Sequence, residues 1–168
     1  MGARGMSLVE IVVVIAVMGT LAVFVAPVLV GALGAYDAMD RSVDAYGKMR
    51  YAMERLAREL REVRRDPGNA ANYHFTAMGA AGASFFKGDG TEVTIGSGAG
   101  TVTLAYAGTG GGALTDRVSA FALAYFQSDG VTAATGAGDV AFVEISLTLT
   151  DGATSYANRV RVHLKNAS

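Results

Sequence analysis

The sequence predicts an α+β protein, with one long N-terminal α-helix packed on a C-terminal antiparallel β-sheet domain. Three observations lead there. Ile11 to Tyr36 carries no charged residue. From Tyr36 to Val63, apolar residues recur at steps of three and four among charged ones, the spacing of one helix face. Beyond Pro67 the chain turns rich in Gly, Thr and Ala, and its apolar residues alternate with the period of a strand.

The chain of 168 residues has room for one modest domain and an appended segment. Composition divides it into a leader at residues 1–5, a hydrophobic helix at 6–35, an amphipathic continuation at 36–66 and a β-rich domain at 67–168. As a helix, the uncharged run is about 39 Å long, against a hydrocarbon core of about 30 Å. It exceeds the roughly 7–15 residues of a secretory h-region, and no small-x-small cleavage site closes it. A retained single-pass membrane helix is expected. Arg4 and the amino terminus precede the run, and Asp37 and Asp40 are the first charges after it. The positive-inside rule then places the N-terminus in the cytoplasm and the β-domain outside. Gly19 and Pro27 interrupt the run, and a proline there removes a backbone donor and crowds the preceding turn. A kink near residues 23–27 is expected.

The continuation reads as helix to about residue 65. Tyr36, Met39, Val43, Tyr46, Met49, Met53, Leu56, Leu60 and Val63 form its apolar stripe. Asp37/Arg41, Asp44/Lys48 and Glu54/Arg58 are i,i+4 pairs with the acid first, the better order. Arg61, Arg64 and Arg65 would crowd the last turn, favourable at a helix C-terminus, before Asp66-Pro67-Gly68 stops it. The stripe is expected to cover the protein's own sheet. A coiled coil with another chain is the alternative, although the pattern slips too often for a strict heptad.

Strands are expected at Tyr73–Met78, Ser84–Lys87, Thr91–Ile95, Thr101–Tyr106, Arg117–Gln127 and Val140–Thr150. In the last of these Val143, Ile145, Leu147 and Leu149 face one way, and Glu144, Ser146, Thr148 and Thr150 the other. Asp151-Gly152 is a hairpin turn signal. It leads to a final strand in which Arg159, Arg161, His163 and Lys165 alternate with Val160, Val162 and Leu164. The glycine-rich stretches 96–100, 108–112 and 136–138 are expected to be loops.

Little here suggests catalysis. There is no cysteine, which excludes disulfides, thiolate metal sites and a cysteine nucleophile. The net charge of −1, from 14 basic and 15 acidic residues, does not suggest a nucleic-acid partner. Of the two histidines, His74 falls in a short strand and His163 on the polar face of the last one. Gly108-Thr109-Gly110-Gly111-Gly112 lacks the Lys-Ser/Thr ending of a phosphate loop. In Gly88-Asp89-Gly90-Thr91-Glu92, two carboxylates fall short of the 6–8 oxygens that calcium takes. Neither an enzyme, a metal nor a cofactor is expected.

Glu10 stands apart. A carboxylate within a membrane helix costs about 2.5–3.5 kcal/mol at its centre and less near the interface. The bland reading places Glu10 at headgroup level. The functional one starts from Gly5 and Met6. Cutting between them would create an α-amine one helical turn from Glu10, able to pair with Glu10 of an adjacent subunit.

Gly5-Met6-Ser7-Leu8-Val9-Glu10 and the apolar helix after it resemble the class III leader and N-terminal helix of type IV pilins and type II secretion pseudopilins. The resemblance implies that prepilin peptidase cleaves between Gly5 and Met6, and that Met6, where the family usually has Phe, becomes the N-methylated first residue. It implies that Glu10 pairs with a neighbour's N-terminus in assembly and that Pro27 marks a helix break that melts locally in the filament. The stretch Met53-Glu54-Arg55-Leu56-Ala57-Arg58-Glu59-Leu60-Arg61 and the late strand through Arg159-Val160-Arg161-Val162 resemble the minor pilins of the W type and the minor pseudopilin J. The expected function is that of a minor pilin priming or supporting a filament. Its partners would be prepilin peptidase, other pilin or pseudopilin subunits, and inner-membrane lipid before assembly. The β-domain would lie in the periplasm and then in a pilus or pseudopilus. A minor pseudopilin of a type II secretion system, or a membrane-anchored binding module that never polymerises, are the alternatives. Replacing Gly5 by a bulky residue is expected to leave the leader attached and keep the subunit out of fibres. Normal processing of that variant, read by mass spectrometry, would overturn the cleavage site.

Overall fold

The computed structural model of the chain describes residues 7–165. One helix, α1 (Leu8–Arg61), spans 54 residues. Ten strands follow among the described residues: β1 (Arg65–Asp66), β2 (Asn69–Tyr73), β3 (Phe75–Met78), β4 (Gly82–Phe86), β5 (Glu92–Gly98), β6 (Thr101–Tyr106), β7 (Gly110–Thr115), β8 (Val118–Phe126), β9 (Phe142–Asp151) and β10 (Thr154–His163). All pairings are antiparallel. The α+β class expected from the sequence is the one observed.

The described residues divide after Val43 into two units. The first is apolar helix. By length and composition it is able to cross a membrane. Its large side chains are exposed, with Phe24 at 74% and Val28 at 72%. Pro27 lies inside α1, which continues on either side of it. Arg41 pairs with Asp37, the expected i,i+4 arrangement.

The second unit joins residues 44–61 of α1 to the strands. They form a hairpin of β1 and β2, a three-stranded sheet in the order β10-β9-β8, and a five-stranded sheet in the order β3-β4-β5-β6-β7. One core cluster takes Met49, Met53, Leu56 and Leu60 from the helix and Phe85, Ile95, Val102, Val143 and Ile145 from the sheets. The helix is thus packed on the sheets through its second half.

The stripe is narrower than expected. Ala45, Ala52 and Ala57 join the buried face, which lets the strands approach closely. Tyr46 stays 60% exposed and meets Tyr156 edge-on, while Tyr36, Met39 and Val43 belong to the exposed first unit. Glu54 pairs with Arg50 at 2.7 Å rather than with Arg58.

The helix also ends sooner, at Arg61 rather than near residue 65. Its close is a tightened turn in which the N–H groups of Glu62 and Val63 donate to Glu59 and Leu60. Val63 then bridges to Lys87, and the Arg64 N–H donates to the Phe86 carbonyl at 3.0 Å. Sheet pairing satisfies these backbone groups and buries Val63. Arg64 and Arg65 therefore leave the helix. Asp66-Pro67-Gly68 is no helix stop but the turn of the β1–β2 hairpin, where Asp66 accepts from the Gly68 N–H at 2.9 Å.

Strand positions hold with local corrections. The single strand expected at Tyr73–Met78 is broken at His74, whose N–H donates to Arg64 and whose carbonyl accepts from Phe86. Along β9, Val143, Ile145, Leu147 and Leu149 are buried as the alternation required. In β8 an irregularity between Val118 and Ala120 inserts Ser119. It brings Val118 opposite buried Leu149, in phase with Phe121, Leu123 and Tyr125.

Two expected loops are partly strand. Gly96 and Gly98 lie in β5, and only 107–109 turn between β6 and β7. Gly110, Gly111 and Gly112 pair with Tyr106, Ala105 and Leu104. The reason is steric: a Cβ on Gly111 would lie 2.6 Å from the Ala105 Cβ. Glycine is what lets β7 close on β6. Gly111→Ala is expected to destabilise the protein by about 1–3 kcal/mol through overpacking. Gly112→Ala, with nothing within 4 Å of its added Cβ, should cost less. Thermal denaturation of the two variants checks the difference.

Candidate functional site

The head of α1 is built from Ser7 and Glu10. The Ser7 carbonyl accepts from the N–H groups of Glu10 at 3.0 Å and Ile11 at 3.3 Å, which makes Ser7 the N-cap and Glu10 the third helical residue. Ser followed three residues on by Glu is the spacing of a capping box. A carboxylate in the first turn also meets the positive end of the helix dipole, worth about 0.3–1 kcal/mol. Glu10 therefore stands at the capping-box position of this helix head, a placement that Ser7-Leu8-Val9-Glu10 already carries. Gly5 and Met6, the expected processing residues, lie outside the described residues. Pro27 sits 17 positions along the helix from Glu10, about 26 Å of helical rise.

A second cluster was not expected as a unit. Glu59 is 1% exposed, on the buried face of α1. Its Oε1 accepts from the Tyr106 hydroxyl at 2.8 Å and lies 3.1 Å from the Arg55 guanidinium. Arg55 in turn donates to the Tyr106 hydroxyl at 2.6 Å. Oε2 faces the Lys87 ammonium at 3.2 Å, which also reaches Glu62 at 2.6 Å. The Lys87 ammonium is held above its ordinary value first by Glu62, then, against the cost of burial, by Glu59. Burial, followed by the bond to Glu59, pushes the Tyr106 phenol up. The signal was present in the sequence, since Glu59 falls three residues after Leu56, on the stripe.

A third cluster ties the helix to the strand ends. Arg117 pairs with Asp44 and lies 3.0 Å from Asp151, and Lys48 reaches Asp116 at 3.1 Å. Arg117 holds a positive φ of 57°, a strained backbone for a side chain of its size. Beside the β1–β2 hairpin, a groove of about 640 Å³ is lined by Arg65, Tyr73, Asp139, His163 and Lys165 among others. The Arg65 guanidinium covers the Tyr73 ring at 3.9 Å.

The histidines and the carboxylates of the 88–92 loop contact their neighbours in the fold. His74 accepts from Arg64 at 3.2 Å and meets the Phe86 ring at a tilt, while His163 stacks on Phe142. Asp89 accepts from the Thr91 N–H at 2.8 Å, and that bond holds its carboxyl below the usual range. Glu92 accepts from Thr76. The two carboxylates of that loop are thus committed to turn and cross-strand bonds. Compared with models of known protein families and with curated proteins, the chain matches none.

Lys87→Met leaves one oxygen of a buried carboxylate without its cation. It is expected to cost on the order of 3 kcal/mol in denaturant unfolding followed by near-UV circular dichroism. Lys87 and Tyr106 both hold protons more tightly when folded, so their contribution is complete below their unfolded values. It is lost as pH climbs through the raised folded ones. Stability should fall in that alkaline window, and fall less in Lys87→Met.

Proposed function

We propose that the chain is a structural subunit of a type IV pilus-like filament, a minor pilin that primes or supports assembly after a prepilin peptidase cuts between Gly5 and Met6. The observation that carries this reading is the head of α1. One carboxylate, Glu10, opens a helix whose apolar side chains stay exposed up to the second unit. Such a helix fits lipid first and a bundle of like helices afterwards. In the bundle, the amine of Met6 on one subunit would neutralise Glu10 of the next. Residues 44–61 are committed instead to the protein's own core, so filament cohesion falls to the apolar half. A place in a type II secretion pseudopilus uses the same interactions.

Mass spectrometry of the subunit from isolated fibres tests the reading. A mature chain beginning at N-methylated Met6 is expected. Protein found only in the inner membrane, with none in fibres, would overturn it in favour of a non-polymerising anchored module. Glu10 variants separate its two roles. Glu10→Gln keeps a capping side chain and removes the charge. If the charge pair drives assembly, Glu10→Gln and Glu10→Ala should both be processed yet enter fibres at least about tenfold less well, as loss of a pair worth about 1.4 kcal/mol implies. Normal incorporation of Glu10→Gln would leave Glu10 as a cap alone.

A further inference from the structure

We propose that the outer edge of β10 over Ala157–His163 is a docking site for an extended acidic segment of another protein, which adds to the sheet as a strand. The site stands on the sheet alone and holds whether or not the chain enters a filament.

The backbone comes first. β10 is an edge strand of the three-stranded sheet. Its ten residues pair with β9 in unbroken register, without a bulge or a proline. In an antiparallel pair, alternate residues turn their N–H and C=O groups away from the partner strand. Here the outward residues are Ala157, Arg159, Arg161 and His163, since the Leu164 N–H turns inward to the Ala141 carbonyl. The Arg159 N–H donates to the Asn158 side chain at 2.7 Å, a local bond that an added strand would have to displace. A straight edge of this length is a template for another strand. The opposite edge of the same sheet is occupied, because the Leu123 N–H donates to Ala80 and the Tyr125 carbonyl accepts from Ala134. Edge strands β3 and β7 are shorter, and β7 presents glycines.

Side chains then select the occupant. Arg159, Arg161 and His163 share one face at about 6.8 Å intervals. Opposite them on β9 stand Ser146, Glu144 and Phe142, so a single carboxylate faces two guanidinium groups. Glu144 lies 2.8 Å from Arg161 and 3.5 Å from Arg159. Arg161 is held further by the Gly130 carbonyl and the Phe126 ring, whereas Arg159 is exposed. On the other face Val160 and Val162 point to the core. A strand added beside β10 would meet cations at alternate positions and apolar side chains between them. Acidic residues alternating with apolar ones fit both faces. A second copy does not supply them through its own β10, because Thr154–His163 contains no carboxylate and would set its arginines against these.

The probe is a short, capped, fluorescent peptide of alternating glutamate and valine, added to the full-length protein in non-ionic detergent micelles. Binding is read by anisotropy and by hydrogen-exchange protection. Saturable binding with new protection within Ala157–Val162 is expected. Arg159→Glu should weaken it roughly tenfold or more, and a lysine–valine peptide should not bind. Two further peptides carry N-methyl groups at odd or at even amides. Only one should lose binding, since a strand added at an edge pairs through one side. Equal binding by both would mean plain ionic attraction and would overturn strand addition. No binding at millimolar peptide, or protection confined to other strands, would overturn the site itself. Heparin displacing the peptide while both N-methylated forms still bind would make the strip a polyanion patch instead.

Discussion

Burial of one face of α1 against two small sheets is the interaction on which the rest of the β-domain depends. Neither sheet is large, and the chain has no cysteine to tie them. Leu56 and Leu60 are fully buried in the same cluster as Phe85 and Ile95 from the five-stranded sheet and Ile145 and Leu147 from the three-stranded one. Each such leucine contributes about 1.5–3 kcal/mol by leaving water. The alanines between them matter as much. Ala45, Ala52 and Ala57 keep the helix close to the strands, and a larger side chain at any of them would force the sheets off the leucines.

That close contact explains where the charges sit. Glu59 occupies a stripe position, so closing the core buries it. A buried carboxylate is tolerable only when paired and hydrogen-bonded. Tyr106 of β6 supplies the hydrogen bond to Oε1, Arg55 of the helix its opposite charge, and Lys87 beyond β4 faces Oε2 as an ion pair without a hydrogen bond. Their net contribution to stability is small beside the apolar contact, but they fix rotation: turning the helix by one residue would leave Glu59 without them. Arg117 performs a similar task at the other end of the contact. Its strained φ is maintained because the side chain reaches Asp44 and Asp151 while its carbonyl accepts from the Thr150 N–H at 2.8 Å.

Patterns dominated by period were legible in the sequence. The alternation in β9, the helical steps from Met49 to Leu60 and the Asp151-Gly152 turn each have one physical solution, and the structure adopts it. Features that depend on partners distant in the chain were not legible. Arg64 and Arg65 suit a helix C-terminus, yet backbone pairing of Val63 and Arg64 near Phe86 and Lys87 removes them from it. Gly110 to Gly112 suits a loop, yet the close approach of Ala105 makes them a strand. Ser119 is an inserted residue that only the register with β9 defines. The site divides the same way: Glu10 drew notice because it is alone, whereas Glu59 is hidden among the charges of an arginine-rich helix end.

Glu10 and Glu59 present one physical problem with two settings. Both are carboxylates on α1: the core excludes water from Glu59, and a bilayer or a bundle of like helices would exclude it from Glu10. The fold solves Glu59 internally, with a phenol, a guanidinium and an ammonium brought by the helix itself and by the sheet. For Glu10 the first turn offers the helix dipole and the capping geometry of Ser7, worth at most about 1 kcal/mol. That is below the roughly 2.5–3.5 kcal/mol that a carboxylate costs in the middle of a bilayer. At a membrane interface, where that cost is smaller, the cap would be comparable with it. Moved into an apolar bundle, the same residue would need a cation the described residues of its own helix head do not bring, and in the filament proposed above a neighbour's α-amine would supply it.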